Sequence, residues 1–226
     1  MTTHYWLFDL DNTLHDADAG IFAIINHHMT TYLATKLNLP LNKASALRQQ
    51  YWQQYGATLA GLRLHHPQIN PQEFLLASHP LQIILPQLKP MPGLHQALLQ
   101  LPGEKIIFSN GPKHYVQALT EEMHVQNHFQ RLIGIDQNNF LYKPNPQAYL
   151  TVCKQLSIHP SQCIMVDDSL ANLGTARTLG MRTIWYGKHT YPQTQTDAIA
   201  ANMSTLVQIA PVILQTAIRH RVNSLQ

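Results

Sequence analysis

The feature of this sequence that most constrains its fold is a series of short apolar segments that each end abruptly in Asp, Ser, Asn or Gly. Segments with the apolar spacing of helices separate them. Apolar runs of about four to eight residues that alternate with helical segments are typical of buried strands in a parallel sheet. The five candidate strands are residues 5–10, 105–108, 131–135, 163–166 and 182–186.

Four of the segments between these strands carry apolar residues at positions i, i+3 and i+4, as amphipathic helices do. They are residues 94–101, 112–123, 146–156 and 170–179. Asn145 and Pro146 are typical of a helix start, and Gly180 stands where a glycine commonly ends a helix. The pattern predicts an α/β fold with a Rossmann-like, doubly wound parallel sheet.

Residues 17–88 contain no convincing strand, although one crossover between strands needs far fewer residues. Four segments there have helical patterns, and Asn70 with Glu73 has the form of a capping box. We therefore expect a small all-helical cap domain at 17–88, inserted into a core domain formed by 1–16 and 89–226. A further helix is expected at 205–220, which Pro211 would kink or start. The four cap segments are 20–37, 43–55, 56–64 and 71–79.

Charge and cysteine content exclude several classes of protein. Only 12% of the 226 residues are charged, the net charge is +3, and no long basic run occurs, so we expect no nucleic-acid polymer as a partner.

No secretory leader and no apolar run long enough to span a bilayer is found, which favours a cytoplasmic protein without membrane contact. Cys153 and Cys163 belong to no metal-ligand pattern and are expected to be buried thiols.

The first strand ends in two aspartates, Asp9 and Asp11, which are followed by Thr13. The period of two in a strand places both carboxylates on the same side of its end. Two like charges this close are unfavourable unless a cation neutralises them or their protonation differs. One could then serve as a covalent nucleophile and the other as a proton donor. The alternative is that both are ordinary turn or capping residues.

The second strand ends in Ser109, Asn110 and Gly111, directly before a helix that begins near Pro112. A hydroxyl, an amide and a helix N-terminus could bind an anion there, although plain N-capping is the simpler explanation of this fragment alone. Lys143 is expected in an extended loop, because residues before proline avoid the helical conformation. It would be a fixed positive charge for a phosphoryl group or, alternatively, a solvated surface lysine.

The fourth strand ends in Asp167 and Asp168. Adjacent carboxylates at a buried strand end are costly to desolvate without a cation. Oxygen ligands of this kind suit Mg²⁺, which keeps several waters and takes few carboxylates. Because the C-terminal ends of parallel strands form the ligand crevice of a doubly wound sheet, we expect these groups to meet those of the first two strands.

The polar residues at the strand ends form one ordered pattern, which is Asp9-x-Asp11-x-Thr13, Ser109, Lys143 and Asp167-Asp168. This order, with a helical insertion after the first motif, resembles the haloacid dehalogenase superfamily of phosphohydrolases over nearly the whole chain. The resemblance implies that Asp9 is a nucleophile that forms an aspartyl-phosphate and that Asp11 is the general acid and base. It implies that Ser109 and Lys143 bind the phosphoryl oxygens, with help from the backbone N–H of Asn110.

The same resemblance implies Mg²⁺ as the cofactor. Its ligands would be the side chain of Asp9, the main-chain oxygen of Asp11 and the side chain of Asp168, with Asp167 acting through a water. Members that cleave carbon–halogen bonds lack the aspartate at the position of Asp11, because a halide leaves without protonation. The resemblance therefore implies a small-molecule phosphate monoester as substrate rather than an organic halide.

A narrower resemblance concerns the inserted segment and points to the pyrimidine 5′-nucleotidase branch. It implies that Tyr51, Tyr55 and His79 contact the substrate, since aromatic rings can stack on a nucleobase. The aromatic residues could equally form the core of a small helical domain. A broad phosphatase for sugar phosphates or phosphoglycolate, a phosphomutase, and a non-catalytic nucleotide-binding module remain alternatives. The resemblance rests on Tyr51-Trp52-x-x-Tyr55-Gly56-x-x-Leu59-x-Gly61-Leu62, Phe74-Leu75, His79, and Phe108-Ser109-Asn110-Gly111-Pro112 with His114.

Overall fold

The computed structural model describes residues 4–187 and 195–222 of the chain. The described chain divides into two compact units. The second unit is the continuous segment Ala17–Lys89, and the first unit consists of the described residues before and after it.

The first unit contains a parallel sheet of six described strands in the order β3-β2-β1-β4-β5-β6. The predicted α/β fold with a Rossmann-like parallel sheet is confirmed, and all five predicted strands are present. The sixth strand, Ala198–Ala200, is missing from the prediction because three small or apolar residues do not make a recognisable pattern. The strands are β1 (Tyr5–Phe8), β2 (Glu104–Phe108), β3 (Arg131–Ile133), β4 (Cys163–Asp167), β5 (Arg182–Tyr186) and β6 (Ala198–Ala200).

Strand β1 lies in the middle of this sheet and sets the position of its polar edge. Phe8 pairs with Ile107 of β2 on one side and with Val166 of β4 on the other. Every residue of β4 is buried, as expected for a strand with helices on both faces. Because all three strands run in parallel and in this register, the residues that follow them emerge at one edge of the sheet.

Helices of the first unit connect and cover the strands. Asn145 caps the helix Pro146–Leu156 by accepting a hydrogen bond from the Gln147 N–H at 2.9 Å, as the sequence predicts for this residue. The last helix begins at Met203 and continues through Pro211, so the expectation that Pro211 starts it is wrong. These helices are α6 (Leu94–Gln100), α7 (Lys113–Glu122), α8 (Pro146–Leu156), α9 (Leu170–Thr178) and α10 (Met203–Val222).

The second unit is helical throughout its regular structure. The helix expected at 56–64 begins later, at Thr58, because Gly56, at φ 81°, ends the preceding helix Leu41–Tyr55 in the left-handed conformation. Gly61 allows these two helices to approach closely, since a Cβ there would lie 2.3 Å from Cγ of Tyr51. Its helices are α1 (Ile21–Lys36), α2 (Leu41–Tyr55), α3 (Thr58–His65), α4 (Pro71–Ser78) and α5 (Leu81–Ile84), the last followed by a 3₁₀ turn at Leu85–Gln87.

Two further features of the described chain bear on the sequence expectations. Cys153 and Cys163 are buried free thiols, as predicted. Within residues 4–187 and 195–222, no helix is both long enough and apolar enough to cross a bilayer.

Candidate active site

The candidate site lies at the polar edge of the sheet in the first unit. Asp9 directly follows β1, and its N–H donates to the Val166 carbonyl at 2.9 Å, which continues the pairing with β4 by one residue. Ser109 follows β2, and its N–H donates to the Ile133 carbonyl of β3 at 3.0 Å. Asp167 is the last residue of β4. The strand register thus brings the residues predicted from separate motifs to one place.

Lys143 connects two of these strand ends through its ammonium group. Its Nζ donates to Oδ1 of Asp9 at 2.6 Å and to Oδ2 of Asp167 at 2.8 Å. The side chain is only 1% exposed, so the interpretation as a solvated surface lysine is wrong. Burial alone would lower the pKa of Lys143, but the carboxylates of Asp167 and Asp9 outweigh it and raise the pKa. Lys143 is therefore a fixed cation at this edge.

The loop that carries Lys143 is held by the side chain of Asn110. The Asn110 Nδ2 donates to the Lys143 carbonyl at 2.9 Å, and the Lys143 N–H donates to Asn110 Oδ1 at 2.8 Å. The sequence predicts that Asn110 binds an anion or a phosphoryl oxygen, and it does not predict this contact with Lys143. Since the two residues are 33 positions apart, no local pattern could have indicated the contact.

The carboxylate of Asp167 is fully buried, and both of its oxygens are engaged. Oδ1 accepts from the Ser169 N–H at 2.9 Å and from Asn172 Nδ2 at 3.0 Å. Oδ2 accepts from Lys143 Nζ at 2.8 Å and from Asn172 Nδ2 at 3.1 Å. These bonds make Asp167 an anchor for Lys143, and they fit a residue that would meet a metal ion through water rather than directly.

Asp9, Asp167 and Asp168 each offer a carboxylate oxygen, and these three atoms lie within 4.8 Å of one another. Burial raises the pKa of Asp9 well above its ordinary value; Lys143 opposes this effect and the nearby carboxylates reinforce it. Burial also raises the pKa of Asp168 to about 6, with Asp167 adding to the shift. Three carboxylates against the single Lys143 ammonium leave an excess of negative charge, and the donors are all hard oxygens. The residues therefore fit Mg²⁺.

The carboxylate of Asp11 does not belong to that cluster and has different partners. The Tyr115 hydroxyl donates to Asp11 Oδ1 at 2.5 Å, and His15 Nε2 lies 3.0 Å from the same oxygen. Both Tyr115 and His15 are buried. Sequence reasoning missed both residues. Tyr115 stands 104 positions from Asp11, but His15, four positions away, could have been noticed as a histidine next to the first motif.

Ser109 is buried where β2 turns toward α7. The Gly111 N–H donates to Ser109 Oγ at 2.9 Å. Gly111 is required at this turn, because a Cβ there would lie 2.8 Å from the Tyr115 ring and 3.2 Å from Ser109 Oγ. The first N–H of α7, on Lys113, donates to Asp136 Oδ1 at 2.7 Å, so this end of the helix is already partly satisfied.

The three predicted substrate contacts of the inserted segment lie in the second unit. The Tyr51 hydroxyl is 3.0 Å from His66 Nε2, and the Tyr55 hydroxyl is 2.6 Å from His65 Nε2. His79 is buried, with Nδ1 2.9 Å from the Leu75 carbonyl. Contacts of this kind stabilise the unit itself, which agrees with the simpler interpretation of these residues as packing.

Comparison with known proteins assigns the chain to a family. The sequence model of the family of haloacid dehalogenase-like hydrolases matches residues 6–180 of this chain. The chain belongs to this family. Phosphate metabolism protein 8 of Saccharomyces cerevisiae is 24% identical over 196 residues, which cover 78% of this chain and 59% of that protein. The chain thus spans about three fifths of that relative's length.

Two further similarities agree with this assignment. A phosphoglycolate phosphatase of Pseudomonas putida is 26% identical over 196 residues, covering 79% of this chain and 67% of that protein. The crystal structure of a HAD phosphatase from Thermococcus onnurineus superposes with a TM-score of 0.66 at 20% sequence identity, and covers 91% of this chain and 97% of that one. The structural likeness establishes the fold.

Proposed function

We propose that this protein is a Mg²⁺-dependent phosphatase that hydrolyses phosphate monoesters through an aspartyl-phosphate on Asp9. The observation that carries the proposal is the position of Lys143, which bonds Asp9 at 2.6 Å and Asp167 at 2.8 Å beside the cluster that includes Asp168. A nucleophile next to a fixed cation and a potential metal site is the arrangement that phosphoryl transfer requires, because that reaction depends on positioning and charge neutralisation.

In the first step, a carboxylate oxygen of Asp9 attacks phosphorus while the bond to the ester oxygen breaks. The electron pair goes to the leaving oxygen, and Asp11 supplies the proton that makes it an alcohol. In the second step, Asp11 takes a proton from a water molecule, which attacks phosphorus and breaks the bond to Asp9. Inorganic phosphate leaves, and both aspartates return to their starting states.

The remaining residues position and neutralise the phosphoryl group. Lys143 would place its ammonium against the phosphoryl oxygens, and Asn110 keeps its loop in place. Ser109 would donate from its hydroxyl to another of these oxygens. Mg²⁺, bound by Asp9, Asp168 and the main-chain oxygen of Asp11, would supply further positive charge.

For the substrate, we propose a pyrimidine nucleoside 5′-monophosphate. This choice depends on the resemblance of the inserted segment, and it assigns Tyr51, Tyr55 and His79 to substrate binding. Their contacts within the second unit weaken that assignment. Phosphoglycolate is a second candidate of comparable weight, because it is named as the substrate of a relative that is 26% identical.

The test is phosphate release from UMP, CMP, AMP, glucose 6-phosphate and phosphoglycolate, measured with MgCl₂ and with EDTA. Asp9→Asn serves as the blank, and Asp16→Asn, at an exposed aspartate a short way further along the chain, controls for the charge change. We expect Mg²⁺-dependent release that Asp9→Asn abolishes and Asp16→Asn retains. Preference for UMP and CMP supports a pyrimidine nucleotide as the substrate. Preference for phosphoglycolate would identify phosphoglycolate as the substrate instead.

The same assay separates the other classes. A phosphomutase would return the phosphate to an organic product, so substrate would be consumed without stoichiometric release of phosphate. A nucleotide-binding module would bind UMP in calorimetry and release no phosphate from any ester. Either result would overturn the phosphatase.

A further inference from the structure

The environment of Asp11 differs from that of the other carboxylates at the polar edge. Asp9, Asp167 and Asp168 form the oxygen cluster, whereas Oδ1 of Asp11 accepts from Tyr115 at 2.5 Å and lies 3.0 Å from His15 Nε2. An aspartate two residues from a metal ligand could also turn its side chain toward the metal. Here its Oδ1 is bound by Tyr115 and His15, neither of which is one of the three carboxylates of the cluster.

The two partners are held rigidly. Tyr115 and His15 both have zero exposed surface, their rings meet edge to face, and the Tyr115 hydroxyl lies 3.4 Å from His15 Nε2. Tyr115 comes from the first half of α7, and its ring packs beneath Gly111. Side chains this enclosed have few alternative rotamers, so they fix the atom that they bind.

The tautomer of His15 follows from its surroundings. Its other ring nitrogen, Nδ1, is buried and has no hydrogen-bond partner among the residues that the structure describes. A buried N–H without an acceptor costs more than a bare lone pair, so we assign the hydrogen to Nε2. Nε2 then donates to Asp11 Oδ1, which receives two donors, and proton exchange with the substrate falls to Oδ2.

We propose that Tyr115 and His15 are positioning residues that hold the carboxylate of Asp11 apart from the metal ligands and aim its second oxygen at the leaving group. This inference rests on the proposed phosphatase, in which Asp11 is the general acid. It adds a specific consequence, which is that loss of the Tyr115 hydroxyl harms protonation of the leaving group more than it harms attack by Asp9.

The experiment compares kcat/KM of wild type and Tyr115→Phe on phenyl phosphate and p-nitrophenyl phosphate. The two esters have similar shapes, but phenolate is the poorer leaving group and needs a proton more. The matched control is Tyr149→Phe, which removes another buried hydroxyl, one that donates to the Asn172 carbonyl at 2.9 Å. Thermal melting verifies that each variant folds.

We expect Tyr115→Phe to lower kcat/KM for phenyl phosphate by roughly 10- to 100-fold and for p-nitrophenyl phosphate by about 3-fold or less. Tyr149→Phe should change kcat/KM for the two esters by the same factor. Should Tyr115→Phe fail to fold, His15→Gln is tested in its place and is expected to show the same selective loss. Equal losses on both esters, or no loss, would overturn this inference and leave the proposed phosphatase activity unaffected. A wild-type protein that is inactive on every ester would overturn the proposed phosphatase activity itself.

Discussion

Replacing Lys143 with methionine removes a buried positive charge while keeping an unbranched apolar side chain as far as the ε carbon. In the wild type its ammonium lies 2.6 Å from Asp9 and 2.8 Å from Asp167, and all three side chains are buried. Breaking a buried ion pair by removing one partner costs about 3–5 kcal/mol, because the other charge stays in the interior without compensation. Here two carboxylates lose the same partner. We therefore expect Lys143→Met to lower the free energy of unfolding by about 3–5 kcal/mol at pH 8 in EDTA.

The sign of the pH dependence distinguishes this cause from simple loss of packing. In the variant, burial without Lys143 raises the pKa of Asp9 in the folded state further above its unfolded value. The folded state then binds more protons than the unfolded state, so stability rises as pH falls through the range between the two values. The loss of unfolding free energy in Lys143→Met, relative to wild type, should therefore become smaller when the pH is lowered from 8 to about 5. In the wild type, the raised pKa of Lys143 keeps its contribution constant over that range.

The assay is urea unfolding at both pH values, followed by fluorescence, for wild type, Lys143→Met, Asp167→Asn and the double variant. Adding Asp167→Asn to Lys143→Met removes one of the two uncompensated charges and should recover part of the lost stability. The reasoning is refuted if Lys143→Met unfolds within about 0.5 kcal/mol of wild type at pH 8, the range of an ordinary surface change. A deficit that stays constant with pH would also contradict it.

Three further predictions concern other parts of the described chain. Asn110→Ala breaks two bonds to the backbone of Lys143 and should lower kcat by about 10-fold or more while the protein stays folded, as steady-state kinetics and melting would show. Asp168→Asn should weaken Mg²⁺ binding in calorimetry, because it removes a carboxylate ligand. In the wild type, Mg²⁺ affinity should fall as pH drops below about 6, because protonation of Asp168 at its raised pKa competes with the metal. Gly61→Ala places a methyl group against Tyr51 and should cost about 1–3 kcal/mol of stability in urea unfolding; an unchanged midpoint would contradict the close packing of α2 and α3.

The fold could be predicted because its strands are apolar and its connections are helical. Strands such as Cys163–Asp167 are buried throughout, so their sequences are nearly uniform in hydrophobicity and end sharply at a polar residue. The strand Ala198–Ala200 escaped prediction because it is short, at the sheet edge, and identified only by its pairing with β5. The last helix is predicted at 205–220 and spans Met203–Val222, so Pro211 lies inside it and does not mark its start.

At the candidate site, motif residues were predictable and their supporting contacts were not. Asp9 and Asp167 could be predicted because they are polar residues at the ends of apolar strands, and Lys143 because it precedes a proline in a loop. The hydrogen bonds between Asn110 and the Lys143 backbone join residues that are far apart in the sequence, and so does the hydrogen bond from Tyr115 to Asp11. Such contacts depend on how the chain packs in three dimensions, and a local pattern in one sequence carries no information about them.

The central claim is that Asp9 becomes phosphorylated during turnover. The most direct test is to incubate the protein with acetyl phosphate and Mg²⁺, quench in acid and measure the mass of the peptide that contains Asp9. Acetyl phosphate is a small phosphoryl donor that makes no demand on substrate recognition. We expect this peptide to gain the mass of one phosphoryl group, to lose it in hydroxylamine, and to gain none in EDTA or in Asp9→Asn. Sustained release of phosphate at the wild-type rate by Asp9→Asn, or a phosphoryl group found on another residue, would contradict the account.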